Sequence, residues 1–360
     1  MLNCMMMMTK HKVKLGDICI FNYGKSLVAN KRIVGNVPVY SSAGIIGYHN
    51  EPLVNTPGII IGRKGTVGTV YYSPVPFYCI DTAYYIIPNE SIYNLQYLYY
   101  QLKSLKLNKL NEDSAIPGLN RFAAYAQEIS LPPLAEQKRI ADILSAIDDK
   151  IELNRRINAN LEQQAQALYK SWFVDNKKDD WEEVELGDIA TILAGGDKPE
   201  IYVDKQTDDC KVPIYSNGID NEGLFGYTRC AKIYEHSITI SARGTIGFVC
   251  LRTEPYVPIV RLISVIPQYN NLSAEYLYLW AITQNISGTG TTQQQLTIPY
   301  FKKTKIIIPN QELLIKFNQV ISPIFITLKK NKTENNNLSN LRDTLLPQLM
   351  SGEINICKYN

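Results

Sequence analysis

The chain has 360 residues, of which 45% are hydrophobic and 20% are charged, and it carries a formal net charge of +3. This composition is that of a folded globular protein and excludes a chain that is disordered throughout. The small charge excludes a histone-like polycation, but it permits local basic clusters that bind nucleic acid.

Residues 1–13 form an N-terminal extension with four consecutive methionines at 5–8. The extension lacks the apolar run of roughly 7–15 residues that a signal peptide needs, and no later stretch reaches the ~18 apolar residues of a membrane-spanning helix. The seven cysteines are scattered without a Cys-x-x-Cys pair, which favours reduced thiols over a disulfide framework or a zinc site. We therefore expect a cytoplasmic protein with no membrane partner.

The rest of the chain is an internal repeat, in which residues 15–173 and 186–350 carry the same motifs in the same order. A repeated unit of this length has the size of a domain and is too long for a solenoid repeat. The matching motifs are LGDI at 15–18 and 186–189, VPVYS at 37–41 and VPIYS at 212–216, KGTVG at 64–68 and RGTIG at 243–247, and YLY at 97–99 and 276–278.

Short β-branched and aromatic runs, separated by Gly, Pro and Asn, predict strands in both units. The predicted strands are 59–61, 67–72 and 77–87 in the first unit, and 238–241 and 246–251 in the second. Leucines at helical spacing predict a helix over 95–107, with a counterpart over 274–282. Each unit is therefore predicted to be an α+β domain.

A long helix is predicted after each unit, because apolar residues recur there at alternating steps of four and three, which is typical of a coiled-coil seam. The seams comprise Ile140, Leu144, Ile147, Ile151, Asn154, Asn158, Leu161, Ala165, Leu168 and Trp172 in the first copy, and Phe317, Ile321, Ile324, Leu328, Asn331, Asn335, Leu338, Arg342, Leu345 and Leu349 in the second. Both seams have two asparagines at their centre.

Antiparallel pairing of the helices sets Asn154 against Asn335 and Asn158 against Asn331, so that each amide meets a hydrogen-bonding partner. Parallel pairing also matches asparagine with asparagine, but antiparallel pairing makes the repeat a pseudo-twofold with one unit at each end of a rod. Buried asparagines specify register at a cost in stability. The alternative is two ordinary amphipathic surface helices. Ser-Pro at 322–323 predicts a break or kink in the second helix.

The sequence contains no complete enzyme motif. Gly24-Lys25-Ser26 resembles the end of a phosphate-binding loop, but Cys19 occupies the position of the required upstream glycine. The three histidines are scattered, and neither a His-Glu-x-x-His motif nor the Asn/Asp-Pro-Pro-aromatic tetrad of an amino-methyltransferase occurs. We therefore predict no catalytic residues, no metal and no cofactor for this chain.

The candidate nucleic-acid contacts are polar side chains on glycine turns, where the backbone can approach a phosphate closely. Arg63, Lys64 and Thr66 lie on one turn, and Arg243 and Thr245 lie on its counterpart, although each turn can also be a plain exposed hairpin. Gln and Asn pair with adenine and Arg with guanine, whereas 293–295 can equally be a solvated linker. Further candidates are Ser41, Ser42, Tyr48, Asn120, Arg121, Ser216, Asn217, Tyr227, Gln293, Gln294 and Gln295.

These units and helices, together with LPPLAEQ at 131–137 and LRDTLLPQLMSGEI at 341–354, resemble the DNA-specificity subunit of a type I restriction-modification enzyme. The resemblance covers the chain from about residue 15 to 354 and departs where NQE at 310–312 replaces PLA at 133–135. It implies two tandem pseudo-twofold-related target-recognition domains, each followed by a long helix, with the two helices pairing as an antiparallel coiled coil.

The resemblance also implies that each domain reads one half of a bipartite double-stranded DNA target. The helices would separate the domains and dock methyltransferase (modification) subunits, which use S-adenosylmethionine, and an ATP-dependent translocase/endonuclease (restriction) subunit would join them. The implied division is an N-terminal extension 1–13, recognition domain 14–133, central spacer helix 134–175, linker 176–184, recognition domain 185–309, C-terminal spacer helix region 310–353 and tail 354–360.

Two other functions fit parts of the sequence. The chain could be the recognition region of a fused restriction-methylation enzyme, which a catalytic domain in the same reading frame would establish. It could also be an RNA-binding scaffold, because the turn at 62–65 resembles a backbone-clamping loop. Such a loop joins two helices, whereas apolar strands flank this turn.

Overall fold

The structure is a computed structural model that describes residues 11–111, 118–284, 286 and 295–354. The chain forms two compact units. The first contains the residues up to Asn154 together with those from Thr333 onwards, and the second is Arg155–Lys332. The two long helices of the chain contribute a segment to each unit.

The first unit is a mixed α/β structure with short strands. Its strands are β1 (His11–Lys14), β2 (Asn22–Tyr23), β3 (Val37–Ser41), β4 (Gly44–His49), β5 (Gly58–Gly62), β6 (Val70–Ser73), β7 (Tyr78–Cys79), β8 (Ala83–Ile86) and β9 (Glu128–Leu131). Its helices are α1 (Leu15–Ile18), α2 (Leu95–Ser104), α3 (Arg121–Tyr125) and the beginning of α4 (Leu134–Tyr169). Short 3-10 helices cover Ala29–Lys31 and Leu107–Asn111.

The strands of the first unit form three small sheets. A four-stranded sheet has the order β2-β8-β5-β6, a three-stranded sheet has the order β4-β3-β7, and β1 pairs with β9. All pairs are antiparallel except β3 with β7, which is parallel. The buried strand β5 lies in the middle of its sheet, so the turn that follows it leaves from the core of the unit.

The second unit repeats this arrangement. Its strands are β10 (Glu182–Glu185), β11 (Ala190–Ala194), β12 (Val212–Tyr215), β13 (Leu224–Thr228), β14 (Ser237–Ser241), β15 (Val249–Arg252), β16 (Val257–Pro258), β17 (Leu262–Pro267) and β18 (Lys305–Ile308). A π-helix covers Lys170–Asp175, and the α-helices are α5 (Leu186–Ile189), α6 (Ala274–Thr283), α7 (Ile298–Lys302) and α8 (Gln311–Ser351). The sheet orders are β11-β17-β14-β15, β13-β12-β16 and β10-β18.

These orders match those of the first unit strand for strand, including the parallel pair, which is β12 with β16. The correspondence confirms that the sequence repeat is a repeat of fold. The correspondence also identifies equivalent residues of the two units, because each strand of the first unit has a counterpart at the same position in a sheet of the second.

Helix α2 is buried on two sides in the first unit. Leu98 and Leu102 pack against the sheet in a cluster with Ile59. On the other side Tyr97 and Tyr100 pack with apolar residues of α4 and α8. Asn94 is the N-cap of α2, and its side chain accepts a hydrogen bond from the backbone amide of Tyr97 in the first turn.

Within the first unit, α4 and α8 pair antiparallel. Asp148 accepts a hydrogen bond from Arg342 at 2.7 Å, whereas Asn154, farther along α4, donates to Asn335 at 2.9 Å. Asn154 is buried and also donates to Glu334 at 2.9 Å.

The helical segments of the second unit also pair antiparallel. The amide of Asn331 donates to Asn158 at 2.8 Å, and Asn158 donates to the Leu328 carbonyl at 3.2 Å. Farther along the chain from Asn158, the ring of Trp172 lies 5.7 Å from that of Phe317. The predicted antiparallel pairing is therefore confirmed, and the structure places all four asparagines in the paired seams.

The structure corrects several predicted boundaries. The strand predicted over 77–87 is two strands in different sheets, β7 and β8, because the chain turns between Ile80 and Ala83, whose amide bonds to the Ile80 carbonyl. The strands predicted over 67–72 and 246–251 begin three residues later, since Gly68 and Gly247 have positive φ angles. Helix α2 ends at Ser104, and Lys106 has a φ of +48°.

Helix α8 continues through Pro323, so the predicted break is wrong. An interior proline costs a helix ~3 kcal/mol, but Ile321 and Phe325 are buried in the core of the second unit on either side of it. Burial of two such side chains contributes roughly 1.5–3 kcal/mol each, which offsets that cost. No described helix combines the length and the hydropathy that crossing a membrane requires.

We predict that Asn154→Leu destabilises the protein by about 1–3 kcal/mol, because it leaves the amide oxygen of Asn335 without its donor. Adding Asn335→Leu should recover most of that loss, since two leucines replace a hydrogen-bonded pair by an apolar contact. Urea unfolding of the full chain measures both changes.

Asn336→Leu is the matched control, because Asn336 is exposed next to this pair. A double variant that is as unstable as the sum of its single variants would show that the amides do not act as a pair.

Candidate nucleic-acid interface

A glycine turn joins β5 to β6 in the first unit and presents Lys64 and Thr66 to solvent. The amide of Gly68 donates to the Gly62 carbonyl at 2.9 Å, which closes the turn. Gly65 and Gly68 have φ angles of +79° and +75°, a region that side chains other than glycine rarely adopt. The backbone conformation therefore requires the two glycines of the KGTVG motif. The Lys64 cation and the Thr66 hydroxyl lie at the tip of the turn.

The turn is anchored to its neighbours by further hydrogen bonds. The hydroxyl of Thr69 donates to the Ser42 carbonyl at 2.6 Å, and the amide of Lys64 donates to the Thr82 carbonyl at 3.0 Å. Lys64 also forms an isolated β-bridge with Gly118. Three separate segments, at Ser42, Thr82 and Gly118, therefore hold the backbone of the exposed turn in place.

Arg63 and Arg121 lie against aromatic rings beside this turn. The guanidinium carbon of Arg63 is 4.9 Å from the ring centre of Tyr23 and 5.7 Å from that of Tyr84. The guanidinium carbon of Arg121 is 5.3 Å from the same Tyr23 ring. Burial, followed by the neighbouring Tyr23, raises the pKa of Tyr84, while Arg63 opposes the rise, so this phenol stays neutral.

Other candidates of the first unit have structural partners. Ser41 and Ser42 are buried rather than exposed after a strand: Ser41 lies within β3, and its hydroxyl bonds to Gly44 and Ala43. The side-chain oxygen of Asn120 accepts hydrogen bonds from the backbone amides of the first turn of α3, so this candidate contact caps a helix. Tyr48 is exposed on β4.

The second unit has the same turn between β14 and β15. Gly247 donates to the Ser241 carbonyl at 3.1 Å, and Gly244 and Gly247 again have positive φ angles. The hydroxyl of Thr245 donates to the carbonyl of Asn217 at 2.7 Å, and the Asn217 amide donates to the carbonyl of Arg243 at 2.8 Å. The structure thus brings three predicted residues into one network.

Arg243 also contacts Gln295, a residue predicted from a different loop. Its Nε donates to the side-chain oxygen of Gln295 at 2.8 Å, and its Nη2 donates to the same oxygen. Gln293 and Gln294 lie outside the described residues. Ser216 is half-buried and bonds to the Gly223 carbonyl at 3.3 Å, and Tyr227 is half-buried on β13.

The described residues carry groups that are suited to binding. Burial raises the pKa of Cys19 and Cys79 to about 12 and that of Cys250 to about 11, so these thiols are protonated at neutral pH and are poor nucleophiles. Among residues 11–111, 118–284 and 295–354, no group of His, Cys, Asp and Glu is arranged to hold a metal ion. Exposed cations and hydroxyls on rigid turns instead suit phosphates and base edges.

Two features of these sites have no signal in the sequence. Tyr23 and the exposed Phe122 surround the arginines of the first unit, although no motif marks them. In the second unit Arg252 is buried, lies 3.5 Å from the ring centre of Tyr215, and pairs with Glu222, which also pairs with Lys332 of α8. The exposure of the apolar Phe122 side chain depends on its neighbours in the fold, so it cannot be predicted from the sequence alone.

Known proteins resemble this chain over most of its length. Residues 7–163 and 178–341 match the family model described as the type I restriction modification DNA specificity domain. A putative type I specificity subunit of Mycoplasma pneumoniae is 31% identical over 326 residues, covering 87% of this chain and 88% of that protein. The type I restriction enzyme HindI specificity subunit of Haemophilus influenzae is 25% identical over 374 residues, covering 77% of this chain and 81% of that protein.

A solved structure has the same fold. The crystal structure of a type I restriction-modification system S subunit from M. genitalium aligns with a TM-score of 0.67 and 19% identity, covering 97% of this chain and 98% of that one. The similarity therefore extends over both units and both long helices.

We predict that Gly68→Ala destabilises the first unit by about 3 kcal/mol or more, because a Cβ there would meet the Asn108 backbone nitrogen at 2.3 Å with a φ of +75°. Gly65→Ala should cost only about 1–2 kcal/mol, since its Cβ meets nothing closer than the Ser42 hydroxyl at 3.3 Å. Thermal unfolding measures the order, and equal losses would contradict the described packing of the turn.

Proposed function

Because this chain belongs to the family of type I restriction modification DNA specificity proteins, we propose that it selects, without catalysing any step, the DNA sequence on which a type I complex acts. One observation carries this proposal: the same rigid glycine turn occurs in both units with a cation at the same position, Lys64 in the first and Arg243 in the second. Each turn holds this cation outward on a fixed backbone, which suits contact with a DNA groove or its phosphates.

The target would be bipartite, with one half read by residues 14–133 and the other by residues 185–309. The repeat of fold supports this division, because each unit has its own sheets, its own core and its own turn. The two turns differ in the groups around the cation. Lys64 is a point charge, whereas Arg243 forms a fork that shares the amide of Gln295, so the two units would prefer different base pairs.

The spacer helix regions 134–175 and 310–353 would dock the methyltransferase and restriction subunits. Both helices expose apolar side chains that their own unit does not cover: Ile143 on α4 in the first unit is 37% exposed, and the equivalent Val320 on α8 in the second is 42% exposed. Apolar side chains are enriched where a helix meets a partner. The partners would supply S-adenosylmethionine-dependent methylation and ATP-driven cleavage, and this chain would supply only recognition.

We predict that Lys64→Ala and Arg243→Ala weaken binding at different halves of the target. If the cation contacts phosphate, each variant lowers the log–log salt dependence by about one unit; if it contacts a base edge, it costs ~1–3 kcal/mol at one position. The measurement is fluorescence anisotropy on duplexes in which one half-site at a time is replaced. The duplexes carry the recognition sequence mapped from adenines that the complex methylates.

Lys12→Ala and Lys305→Ala are the charge-matched controls, because both lysines form only exposed ion pairs, with Glu128 and Glu185. If both turn variants bind every duplex as the wild type does, the turns are plain hairpins. If both affect the same half-site, the division of labour between the units is wrong.

We further predict that the purified chain does not methylate DNA with S-adenosylmethionine, and that methylation appears when the methyltransferase subunits are added. Ile143→Asp combined with Val320→Asp should lower co-purification of those subunits and methylation at least about thirtyfold, since each change places a charge in an apolar contact worth ~1–3 kcal/mol. Pull-down and methyl-transfer assays provide the two measurements.

Gln164→Asp and Asn336→Asp provide the control, because they add the same charge at exposed positions on the same helices. Methylation by the chain alone would overturn the non-catalytic assignment. Undiminished assembly of the Ile143→Asp, Val320→Asp variant would move the docking surface elsewhere.

A further inference from the structure

Three segments of the first unit converge on the ring of Tyr23. Tyr23 belongs to β2 and is 50% exposed. Arg63 follows β5 and Arg121 begins α3, and their guanidinium carbons lie 4.9 Å and 5.3 Å from the centre of that one ring. The ring therefore holds two positive groups that are 58 residues apart in the sequence.

Within the described residues, no carboxylate balances the charges of the two arginines by lying within ion-pairing distance of either guanidinium. Arg63 donates a hydrogen bond to the backbone carbonyl of Asp81 at 3.3 Å. Two like charges at one ring repel each other, so the free protein keeps them together at a cost that an anion would relieve. The cation–π contacts position both guanidinium groups at the ring of Tyr23 without using N–H hydrogen bonds.

We propose that Arg63, Tyr23 and Arg121 form a clamp for one phosphate of the DNA backbone, an inference that rests on the DNA-binding function proposed above. A phosphodiester carries one negative charge and two free oxygens, so it can accept charge-assisted hydrogen bonds from both guanidinium groups at once. A guanine edge would need only one arginine and would leave the other unbalanced. Tyr23 is a positioning residue, because it acts by holding the two arginines.

The clamp belongs to the first unit alone. In the second unit, β11 and β17 place Ala194 where β2 and β8 place Tyr23. Ala242 takes the position of Arg63, since each accepts from the backbone of an equivalent leucine. Ile298 takes that of Arg121, as the first residue of the equivalent helix. The first unit would therefore hold its half of the DNA with a phosphate contact that the second unit lacks.

The test measures dissociation constants against KCl concentration for the full chain assembled with its methyltransferase subunits. One probe is a duplex carrying the recognition sequence, and the other is a random-sequence duplex. Arg63→Gln and Arg121→Gln should each lower the log–log slope by less than one unit on both probes, because the remaining arginine still contacts the shared phosphate. The double variant leaves that phosphate without a partner and should lower the slope by about one unit in total.

The variants of Tyr23 separate positioning from charge. Tyr23→Ala should weaken binding about tenfold on both probes, because it removes the two cation–π contacts that hold the arginines together. Tyr23→Phe keeps the ring and should bind as the wild type does. Lys12→Gln removes one exposed charge outside the cluster and is the control for net charge.

The possible results lead to different conclusions. Slopes that fall by about two units in the double variant mean two independent phosphate contacts and overturn the clamp. Losses confined to the recognition duplex mean a base contact and overturn it as well, as do Tyr23→Ala binding constants equal to those of the wild type. A wild-type assembly that does not distinguish the two duplexes overturns the proposed function itself, and with it this inference.

Discussion

Hydrogen bonds between asparagine side chains fix the register of the helical seams, and the packing of each unit depends on that register. In the first unit, the bond from Asn154 to Asn335 sets Ile140 and Leu144 against Leu349. A shift of one residue would place the buried Asn154 amide among apolar groups, at a cost of about 1–3 kcal/mol for each unsatisfied group. The polar pair therefore excludes alternative pairings that the leucines alone would tolerate.

The register of the seam also affects the position of the glycine turn between β5 and β6, because α2 packs between the seam and the sheet of the first unit. Tyr97 and Tyr100 face the long helices, while Leu98 and Leu102 face the sheet that carries β5. The Tyr97 hydroxyl also donates to the Ser130 carbonyl at 2.8 Å. The second unit repeats this bond between Tyr276 and the Ile307 carbonyl at 2.8 Å, so in each unit the tyrosine is bonded to the strand that precedes a long helix.

The sequence predicted the repeat, the two seams and the antiparallel pairing, because each depends on spacing along one helix. It failed where two segments that look continuous belong to different sheets, as at 77–87, since hydrophobicity does not show a turn between them. The Ser-Pro signal at 322–323 was overruled by the burial of Ile321 and Phe325. Local signals are reliable only when packing does not oppose them.

The candidate DNA contacts could likewise be predicted only where a local motif marks them. Lys64 and Arg243 were predicted because a glycine turn marks them, and both are exposed. The burial of Ser41 and Ser42, and the convergence of Arg63 and Arg121 on Tyr23, depend on contacts between distant segments that one sequence does not display.

The two units carry different side chains on the same arrangement of strands. Arg63 and Ala242 differ in side chain, but the carbonyl of each accepts a hydrogen bond from the equivalent leucine amide, Leu119 or Leu296. Arg121 and Ile298 are each the first residue of an equivalent helix. Backbone bonds of this kind do not depend on the side chain, except that proline lacks the N–H donor. The glycines at the turn cannot vary in this way, because their φ angles are positive. Side chains on the surface of a unit can therefore vary while the turn glycines are retained.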